Sequence, residues 1–231
     1  MNDPEFDDAK EPFDSEFSQR FQRDDRRPNC QLYLISPLQV GGSFPDQLVA
    51  ALDAGPVAAF QFRVKDIDQH DAARLAEPLQ RICAERDVAF IVNDSTALAK
   101  RLGADGVHLG QGDGDVADAR RELGKDAQIG VTCHNSRHLA LEAGELGADY
   151  VAFGAFYESD TKDAKYRAEP EILTWWSTLM ELPCVAIGGI TAANAKPLVA
   201  AGADFLAVSG AVWSAANGPA SAVRELVAQM A

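Results

Sequence analysis

Residues 183–210 read PCVAIGGITAANAKPLVAAGADFLAVSG and contain two short apolar runs separated by a helical pattern. Cys184–Ile187 is apolar throughout and stops at Gly188-Gly189, and Phe205–Val208 is a second such run that stops at Ser209-Gly210. Continuous apolar runs of this length are typical of strands in a parallel sheet that is buried on both faces. The stretch therefore predicts two consecutive parallel strands, joined by a helix and each ending in small residues.

The same alternation of strand and helix patterns occurs eight times after the first 29 residues. The predicted strands span 31–36, 57–63, 89–94, 106–110, 128–133, 150–154, 184–189 and 205–210. A Leu/Ala-Gly-Ala-Asp tetrapeptide precedes three of them, at 102–105, 146–149 and 201–204, and its glycine is expected to end a helix in the left-handed conformation. Eight units favour an α/β fold of one (β/α)8 TIM barrel over a doubly wound sheet, which usually has five or six strands.

In such barrels the loops after the seventh and eighth strands commonly bind phosphate through backbone N–H groups. Here those loops begin with Gly188, Gly189, Ser209 and Gly210. We therefore expect a phosphate site at these two strand ends. Tight strand–helix turns are the alternative explanation for the glycines.

The composition limits the partners. The chain has 231 residues, 47% of them hydrophobic, and a formal net charge of −14, which argues against nucleic acid but allows small phosphorylated substrates where cations are concentrated locally. No apolar run approaches the ~20 residues of a membrane span. The four cysteines have no CxxC spacing, so we expect reduced thiols in a cytoplasmic protein. Association into a homo-oligomer is left open by the sequence.

The first residues differ in composition from the rest. Residues 1–29 are crowded with acidic side chains, followed by several arginines, and lack an apolar period. This predicts a disordered or loosely docked acidic N-terminal extension, with the barrel domain at 30–231.

Polar side chains follow three neighbouring predicted strands. Alternation places Gln61, Arg63 and Lys65 on one side of the second strand's end, where long polar side chains are poor core material. Because Arg and Lys bind phosphate oxygens, we expect an anion site here, with a solvated strand end as the alternative. Asp94 and Asp113 follow the third and fourth strands and are expected to hold Mg²⁺ together. Ordinary turn aspartates are the alternative for this pair.

The fourth to sixth strands add weaker signals. His108 lies within a strand, which favours a buried, hydrogen-bonded histidine. Cys133 and His134 are adjacent and should point to opposite faces, so we do not expect a thiol nucleophile, and Thr132 is the expected inward polar contact. The loop 155–169 is long and carries hydroxyls and cations, which is typical of a lid over an anionic substrate.

These motifs together resemble the thiamine-phosphate synthase family, over nearly the whole chain after the extension. Gln61 to Lys65 match the family's Gln-x-Arg-x-Lys, Asn93-Asp94 its Asn-Asp, and Gly106 to Asp113 its Gly-x-His-Leu-Gly-Gln-x-Asp. Thr132 matches the family's Ser or Thr after the fifth strand, and Ser159 to Lys162 match its Thr-x-Thr-Lys in part. Gly188 to Ile190 and Val208-Ser209 match its Gly-Gly-Ile and Val-Ser. Ser95 stands where the family usually has Arg, and Tyr157-Glu158-Ser159 where it usually has Phe-Pro-Thr.

The resemblance implies a barrel enzyme that joins hydroxymethylpyrimidine diphosphate to thiazole phosphate and releases pyrophosphate with Mg²⁺. It implies that Asp94 and Asp113 bind Mg²⁺ and that Arg63, Lys65, Asn93 and Lys162 contact the diphosphate, with Arg63, Lys65 and Lys162 as catalytic residues. It implies that Gln61 and Thr132 contact the pyrimidine, with His108 and Tyr33 nearby, and that Ser159 and Thr161 supply hydroxyls from the lid. The thiazole phosphate would be bound by Gly188, Gly189, Ser209 and Gly210. A thiazole tautomerase and a non-catalytic barrel that binds a phosphometabolite are the two alternatives.

Overall fold

The computed structural model describes residues 28–158 and 165–230. Eight strands form a closed barrel in sequence order, every neighbouring pair is parallel, and β8 pairs with β1. The strands are β1 (Gln31–Ile35), β2 (Val57–Phe62), β3 (Ala89–Asn93), β4 (Gly106–Leu109), β5 (Gln128–His134), β6 (Tyr150–Gly154), β7 (Cys184–Ile187) and β8 (Phe205–Val208). The predicted (β/α)8 barrel is confirmed. The extension lies almost wholly outside the described residues, so the domain division at residue 29 stays a prediction.

Helices separate the strands. Within the described residues they are α1 (Phe44–Leu52), α2 (Gln69–Ala84), α3 (Thr96–Leu102), α4 (Val116–Leu123), α5 (Arg137–Glu145), α6 (Glu171–Leu179), α7 (Ala195–Ala200), α8 (Gly210–Trp213) and α9 (Pro219–Val227). The large core lies between strands and helices, with Phe60, Phe90 and Trp176 among its fully buried side chains. This explains why the strands read as continuous apolar runs: both of their faces are covered.

A second, smaller cluster fills the barrel interior and includes Tyr33, Ile35, Ile91 and Tyr150. Along β6 the alternation is clear, because Tyr150 and Ala152 belong to the interior cluster while Val151 and Phe153 belong to the outer core. The side chains of this inner cluster lie directly below any site at the carboxyl ends of the strands.

The repeated tetrapeptide ties neighbouring strands together. Each of its aspartates accepts a hydrogen bond from a strand N–H: Asp105 from Phe90 at 2.7 Å, Asp149 from Ile129 at 2.7 Å and Asp204 from Cys184 at 2.8 Å. The glycine prediction is correct in full for Gly103, which ends α3 with φ 58° and ψ 41°. The other two glycines, Gly147 and Gly202, have φ values of 94° and 103°, beyond the left-handed helical region.

Candidate active site

A buried serine, Ser36, joins the end of β2 to the end of β1 through hydrogen bonds. Ser36 donates its N–H to the carbonyl oxygen of Gln61 at 2.9 Å, and its Oγ accepts the N–H of Arg63 at 2.8 Å. The Ser36 carbonyl oxygen accepts from Ser209 Oγ at 3.4 Å. One residue that the sequence did not single out therefore connects the predicted cation site to the end of β8.

Four charged groups meet at the next strand ends. The pKa of Asp94 is raised, first by burial and then by the hydrogen bond and the like charge of Asp113, whereas the positive charges of Lys65 and Arg63 oppose the rise. Burial and the neighbouring Asp113 carboxylate therefore favour the protonated form of Asp94 more than in an isolated aspartate. The structure thus places Asp94 close enough to interact with Asp113, Lys65 and Arg63; their metal and diphosphate roles stay predictions.

The backbone holds this acidic pair in place. Asp94 has φ 65°, a left-handed conformation that few residues other than glycine adopt, and its N–H donates to the carbonyl oxygen of His108 at 2.8 Å. Asp113 Oδ2 accepts the N–H of Gly110 at 3.0 Å. Unusual backbone conformations of this kind cluster at ligand sites, where the surrounding structure maintains them.

Asp94 and Asp113 suit Mg²⁺ better than a metal ion that takes all of its ligands from protein side chains. Within residues 28–158 and 165–230 there is no group of three or more His, Cys, Asp or Glu side chains that could hold a metal. Mg²⁺ is commonly bound by one or two carboxylates together with substrate phosphates and water. Two carboxylates beside Arg63 and Lys65 match that requirement.

A continuous chain of hydrogen bonds crosses the barrel interior. Gln61 Nε2 donates to Tyr33 Oη at 3.0 Å, the hydroxyls of Tyr33 and Tyr150 are 3.0 Å apart, Tyr150 Oη lies 3.2 Å from His108 Nδ1, and His108 Nε2 lies 2.8 Å from Thr132 Oγ1. Burial raises the pKa of Tyr33 to about 12 and lowers that of His108 to about 4, with Asp113 opposing the latter shift. All five side chains are therefore neutral at physiological pH.

Tyr150 was missed by the sequence argument, although four predicted residues converge on it through this chain. Its position in the inward phase of β6 was a signal, but a tyrosine at the start of a strand also fits an ordinary core. Gly130 lies opposite Tyr150 in the register of β5 and β6. A Cβ at Gly130 would lie 2.0 Å from Cζ of the tyrosine ring, so the glycine makes room for that ring.

The Cys133–His134 pair does not form a nucleophile. Cys133 is fully buried in the outer core, its thiol lies 3.5 Å from the carbonyl oxygen of Val131, and burial raises its pKa to about 12. The His134 ring lies instead against Tyr166, with ring centroids 4.7 Å apart. A thiolate is unavailable at neutral pH, which agrees with the expectation from strand alternation.

The long loop after β6 is described in part. Ser159, Thr161 and Lys162 lie outside the described residues, so their predicted roles stay predictions. Before them, Tyr157 donates its N–H to the carbonyl oxygen of Gly188 at 3.0 Å. The Glu158 side chain is 90% exposed and pairs with Arg167 at 2.9 Å. This glutamate therefore faces solvent and forms an ion pair with Arg167.

The Gly-rich end of β7 lies directly against that loop. Gly188 and Gly189 have φ values of 105° and 64°, and a Cβ on Gly189 would lie 2.2 Å from the carbonyl oxygen of Glu158. In the described part of the chain, the N–H groups of Gly188 and Gly189 donate to no backbone carbonyl. β7 and β8 end at Ile187 and Val208, each two residues earlier than predicted. The positive φ of Gly188 and Gly189 ends the extended conformation after β7, and after β8 Ser209 is already the N-cap residue of α8.

A cavity of about 200 Å³ lies beside the acidic pair, lined by Phe62, Val64, Ile67, Gln69, Ala72, Asn93, Asp94, Ser95 and Leu98. Asn93, the remaining predicted diphosphate contact, therefore borders the same space as Asp94. Ser95 caps α3, since its Oγ accepts the N–H of Leu98 at 3.2 Å. The serine that replaces the family's arginine thus has a structural role of its own.

A larger cavity, of about 310 Å³, lies between the β7–α7 loop and the C-terminal helices and contains none of the predicted site residues.

Residues 32–212 match the family described as Thiamine monophosphate synthase. The chain belongs to this family. It is 71% identical to the thiamine-phosphate synthase of Erythrobacter litoralis over 80% of this chain and 88% of that protein, and 57% identical to that of Rhodospirillum centenum over 85% and 96%. The synthase function that the motifs implied is therefore confirmed at the level of the family.

A solved structure agrees with this assignment. The thiamine phosphate pyrophosphorylase from Pyrococcus furiosus superposes with a TM-score of 0.77 at 30% identity, covering 87% of this chain and 95% of that one. The chain is also 52% identical to the thiamine-phosphate synthase of Hyphomonas neptunium, over 86% of this chain and 92% of that protein. Within the described residues, no helix is both long enough and apolar enough to cross a membrane.

Proposed function

We propose that this chain makes thiamine phosphate from hydroxymethylpyrimidine diphosphate and thiazole phosphate, with Mg²⁺ and release of pyrophosphate. The observation that carries the proposal is the meeting of Asp94 and Asp113 with Lys65 and Arg63 at neighbouring strand ends. A tautomerase acting on a thiazole monophosphate has no need for a paired metal site beside two phosphate cations. The family's name therefore fits this chain's own residues.

The acidic pair supplies the metal ligands. Asp94 and Asp113 would hold Mg²⁺, which would supply positive charge to neutralise the diphosphate. Arg63 and Lys65 contact the diphosphate oxygens, Arg63 through two N–H groups at once. Asn93 on the same rim, and Lys162 in the loop after β6, complete this set of contacts, with Ser159 and Thr161 as further hydroxyl donors.

The pyrimidine lies above the barrel interior. Gln61 and Thr132 are at the two ends of the interior hydrogen-bond chain and orient the aminopyrimidine ring, with Tyr33 and His108 between them. Tyr33, Gln61 and His108 are buried, so water cannot approach the pyrimidine from the barrel interior, which helps to protect a reactive cation from hydrolysis.

The thiazole phosphate binds at the ends of β7 and β8. The N–H groups of Gly188 and Gly189 lack backbone acceptors among the described residues, and Ser209 and Gly210 begin the adjoining loop. Small residues with outward N–H groups are suited to bind phosphate oxygens. This site is separate from the acidic pair, so the two phosphorylated substrates occupy different strand ends.

The reaction needs no protein nucleophile. The bond from the pyrimidine methylene carbon to oxygen breaks, pyrophosphate leaves with the electron pair, and the thiazole nitrogen adds to the resulting cation. The protein contributes the positive charges that stabilise the departing pyrophosphate and the geometry that holds the nitrogen close to the carbon. The inaccessible Cys133 thiol supports this route. We further propose a cytoplasmic location and leave association into a homo-oligomer open.

The test is a pair of charge-removing substitutions. Asp113→Asn and Arg63→Ala should each lower pyrophosphate release by orders of magnitude, while calorimetric binding of the thiazole phosphate stays within about twofold of the unmodified protein, because its phosphate binds elsewhere. Asp118→Asn is the matched control: it removes one carboxylate from an exposed i,i+3 pair with Arg121 on α4. Near-normal turnover in both site variants would contradict the proposed mechanism.

A further inference from the structure

Tyr150 occupies the centre of the interior hydrogen-bond chain. Its hydroxyl contacts Tyr33 on one side and His108 on the other, and its ring is stacked on His108 with centroids 5.7 Å apart. The tyrosine is 8% exposed. Tyr150 therefore lies beneath the proposed pyrimidine site. Through its two neighbours it connects Gln61 and Thr132, the two residues proposed to contact the pyrimidine ring.

The hydrogens in this chain can be ordered from its first member. Gln61 Nε2 can only donate, so Tyr33 Oη accepts from it and gives its own hydrogen to Tyr150. Tyr150 then donates to His108 Nδ1, which leaves the ring hydrogen on Nε2, and Nε2 donates to Thr132 Oγ1. In this order every hydrogen between Gln61 Nε2 and Thr132 Oγ1 has an acceptor. The reverse order at Tyr150 would leave the buried Tyr33 hydrogen without an acceptor, which is unfavourable.

The order fixes what the two ends offer to a ligand. Gln61 keeps its carbonyl Oε1, an acceptor, because its Nε2 is engaged. Thr132 keeps its hydroxyl hydrogen, a donor, because its oxygen accepts from His108. We place the amino group of an aminopyrimidine against Gln61 Oε1, to which it donates, and a ring nitrogen against Thr132, from which it accepts. In the same orientation an oxopyrimidine places its carbonyl oxygen against Gln61 Oε1, so that two acceptors meet.

We propose that Tyr150 is a positioning residue that sets the donor and acceptor pattern of Gln61 and Thr132, so that the site selects an amino-substituted over an oxo-substituted pyrimidine diphosphate. This inference rests on the proposed function for its substrate, but the order of hydrogens is a property of the protein alone. The two parts are therefore tested by separate measurements.

The first measurement is the tautomer of His108, read from ¹⁵N NMR of the full-length, ¹⁵N-histidine-labelled protein without ligand. His108→Asn assigns the signal among the four histidines of the chain. The unmodified protein should carry its hydrogen on Nε2. A hydrogen on Nδ1 would reverse the whole chain and overturn the proposal.

Two tyrosine variants sharpen this result. Tyr150→Phe removes the donor to Nδ1 and should shift the His108 ¹⁵N signals toward a mixture of tautomers. Tyr33→Phe leaves the Tyr150–His108 bond in place and should preserve the Nε2 form. Tyr166→Phe is the outside control, since its ring lies against His134 rather than His108, and it should leave the His108 signals unchanged. An unchanged His108 tautomer in folded Tyr150→Phe would contradict the positioning role.

The second measurement compares the amino- and oxo-substituted pyrimidine diphosphates as substrates. Tyr150→Phe should lower kcat/KM for the amino substrate about tenfold or more and reduce the amino-to-oxo preference by a similar factor, with the KM for thiazole phosphate unchanged. Unaltered preference in a variant that folds would overturn the proposal. If the unmodified protein turned over neither substrate, the proposed function and the substrate assignment would both fail. The NMR result would still decide the order of hydrogens.

Discussion

Replacing Gly130 with Ala should destabilise the barrel and disable the site through one contact. The new Cβ would lie 2.0 Å from Cζ, 2.2 Å from Cε2 and 2.4 Å from Oη of Tyr150, all far below a van der Waals distance. The tyrosine ring cannot move away cheaply, because its hydroxyl is bonded on both sides and its ring is packed against His108. We therefore expect the ring to be displaced and the interior hydrogen-bond chain to break.

The magnitude follows from these contacts. Forcing an extra methyl group into a packed core costs about 1–3 kcal/mol, and losing the two hydrogen bonds of the Tyr150 hydroxyl adds about 1 kcal/mol each. The sum is about 3–5 kcal/mol of the free energy of unfolding. For a chain of this size each kcal/mol lowers Tm by roughly 2–4 °C, so a fall of roughly 6–20 °C is expected.

Differential scanning calorimetry measures this directly, and Gly144→Ala is the matched control. Gly144 lies within α5, where the nearest atom to a new Cβ is a Leu182 methyl at 3.4 Å, and Ala is the better helix former by about 1 kcal/mol. That variant should equal or exceed the unmodified protein in Tm. In the double variant Gly130→Ala/Tyr150→Leu the steric part of the loss should be relieved. An unchanged Tm and activity in Gly130→Ala would refute the account of the barrel interior.

Three further outcomes are expected. Cys133→Ala should keep kcat, because the buried thiol has a raised pKa and takes no part in the reaction; turnover assays check this. Gly189→Ala should weaken thiazole phosphate binding at least about tenfold by calorimetry, because a Cβ there meets the loop after β6 and L residues are strained at φ 64°. Mg²⁺ affinity should fall as the pH is lowered, and the fall should begin at a higher pH than for an ordinary aspartate. The reason is that the pKa of Asp94 is raised and its protonated form is a poor ligand; calorimetric titration across pH measures it.

The barrel was predictable because its signals are local. Each strand is a short apolar run, and the tetrapeptide that ends at Asp105, Asp149 and Asp204 marks the start of the next strand with an acceptor for a neighbouring N–H. Inward alternation at the end of β2 likewise placed Gln61 correctly, buried at 3% exposure. Such patterns depend on a few consecutive residues, so one sequence is enough to read them.

The missed residues depend on partners that are distant in sequence. Tyr150 bonds to Tyr33 across 117 residues and to His108 across 42, and nothing around Tyr150 in the sequence indicates either contact. Ser36 looked like the end of a strand, yet it joins the ends of β1, β2 and β8. The exposure of Glu158 and its pairing with Arg167 also depend on the folded structure, so the sequence did not indicate them.

The proposed function requires two phosphorylated substrates to react on this barrel with loss of pyrophosphate. The most direct test is a two-substrate reaction of the full chain with Mg²⁺, in which pyrophosphate and thiamine phosphate are both quantified and each component is omitted in turn. We expect the two products in a one-to-one ratio, and neither product when the pyrimidine diphosphate, the thiazole phosphate or Mg²⁺ is left out. Absence of both products from the complete mixture, with a folded protein confirmed by circular dichroism, would contradict the account.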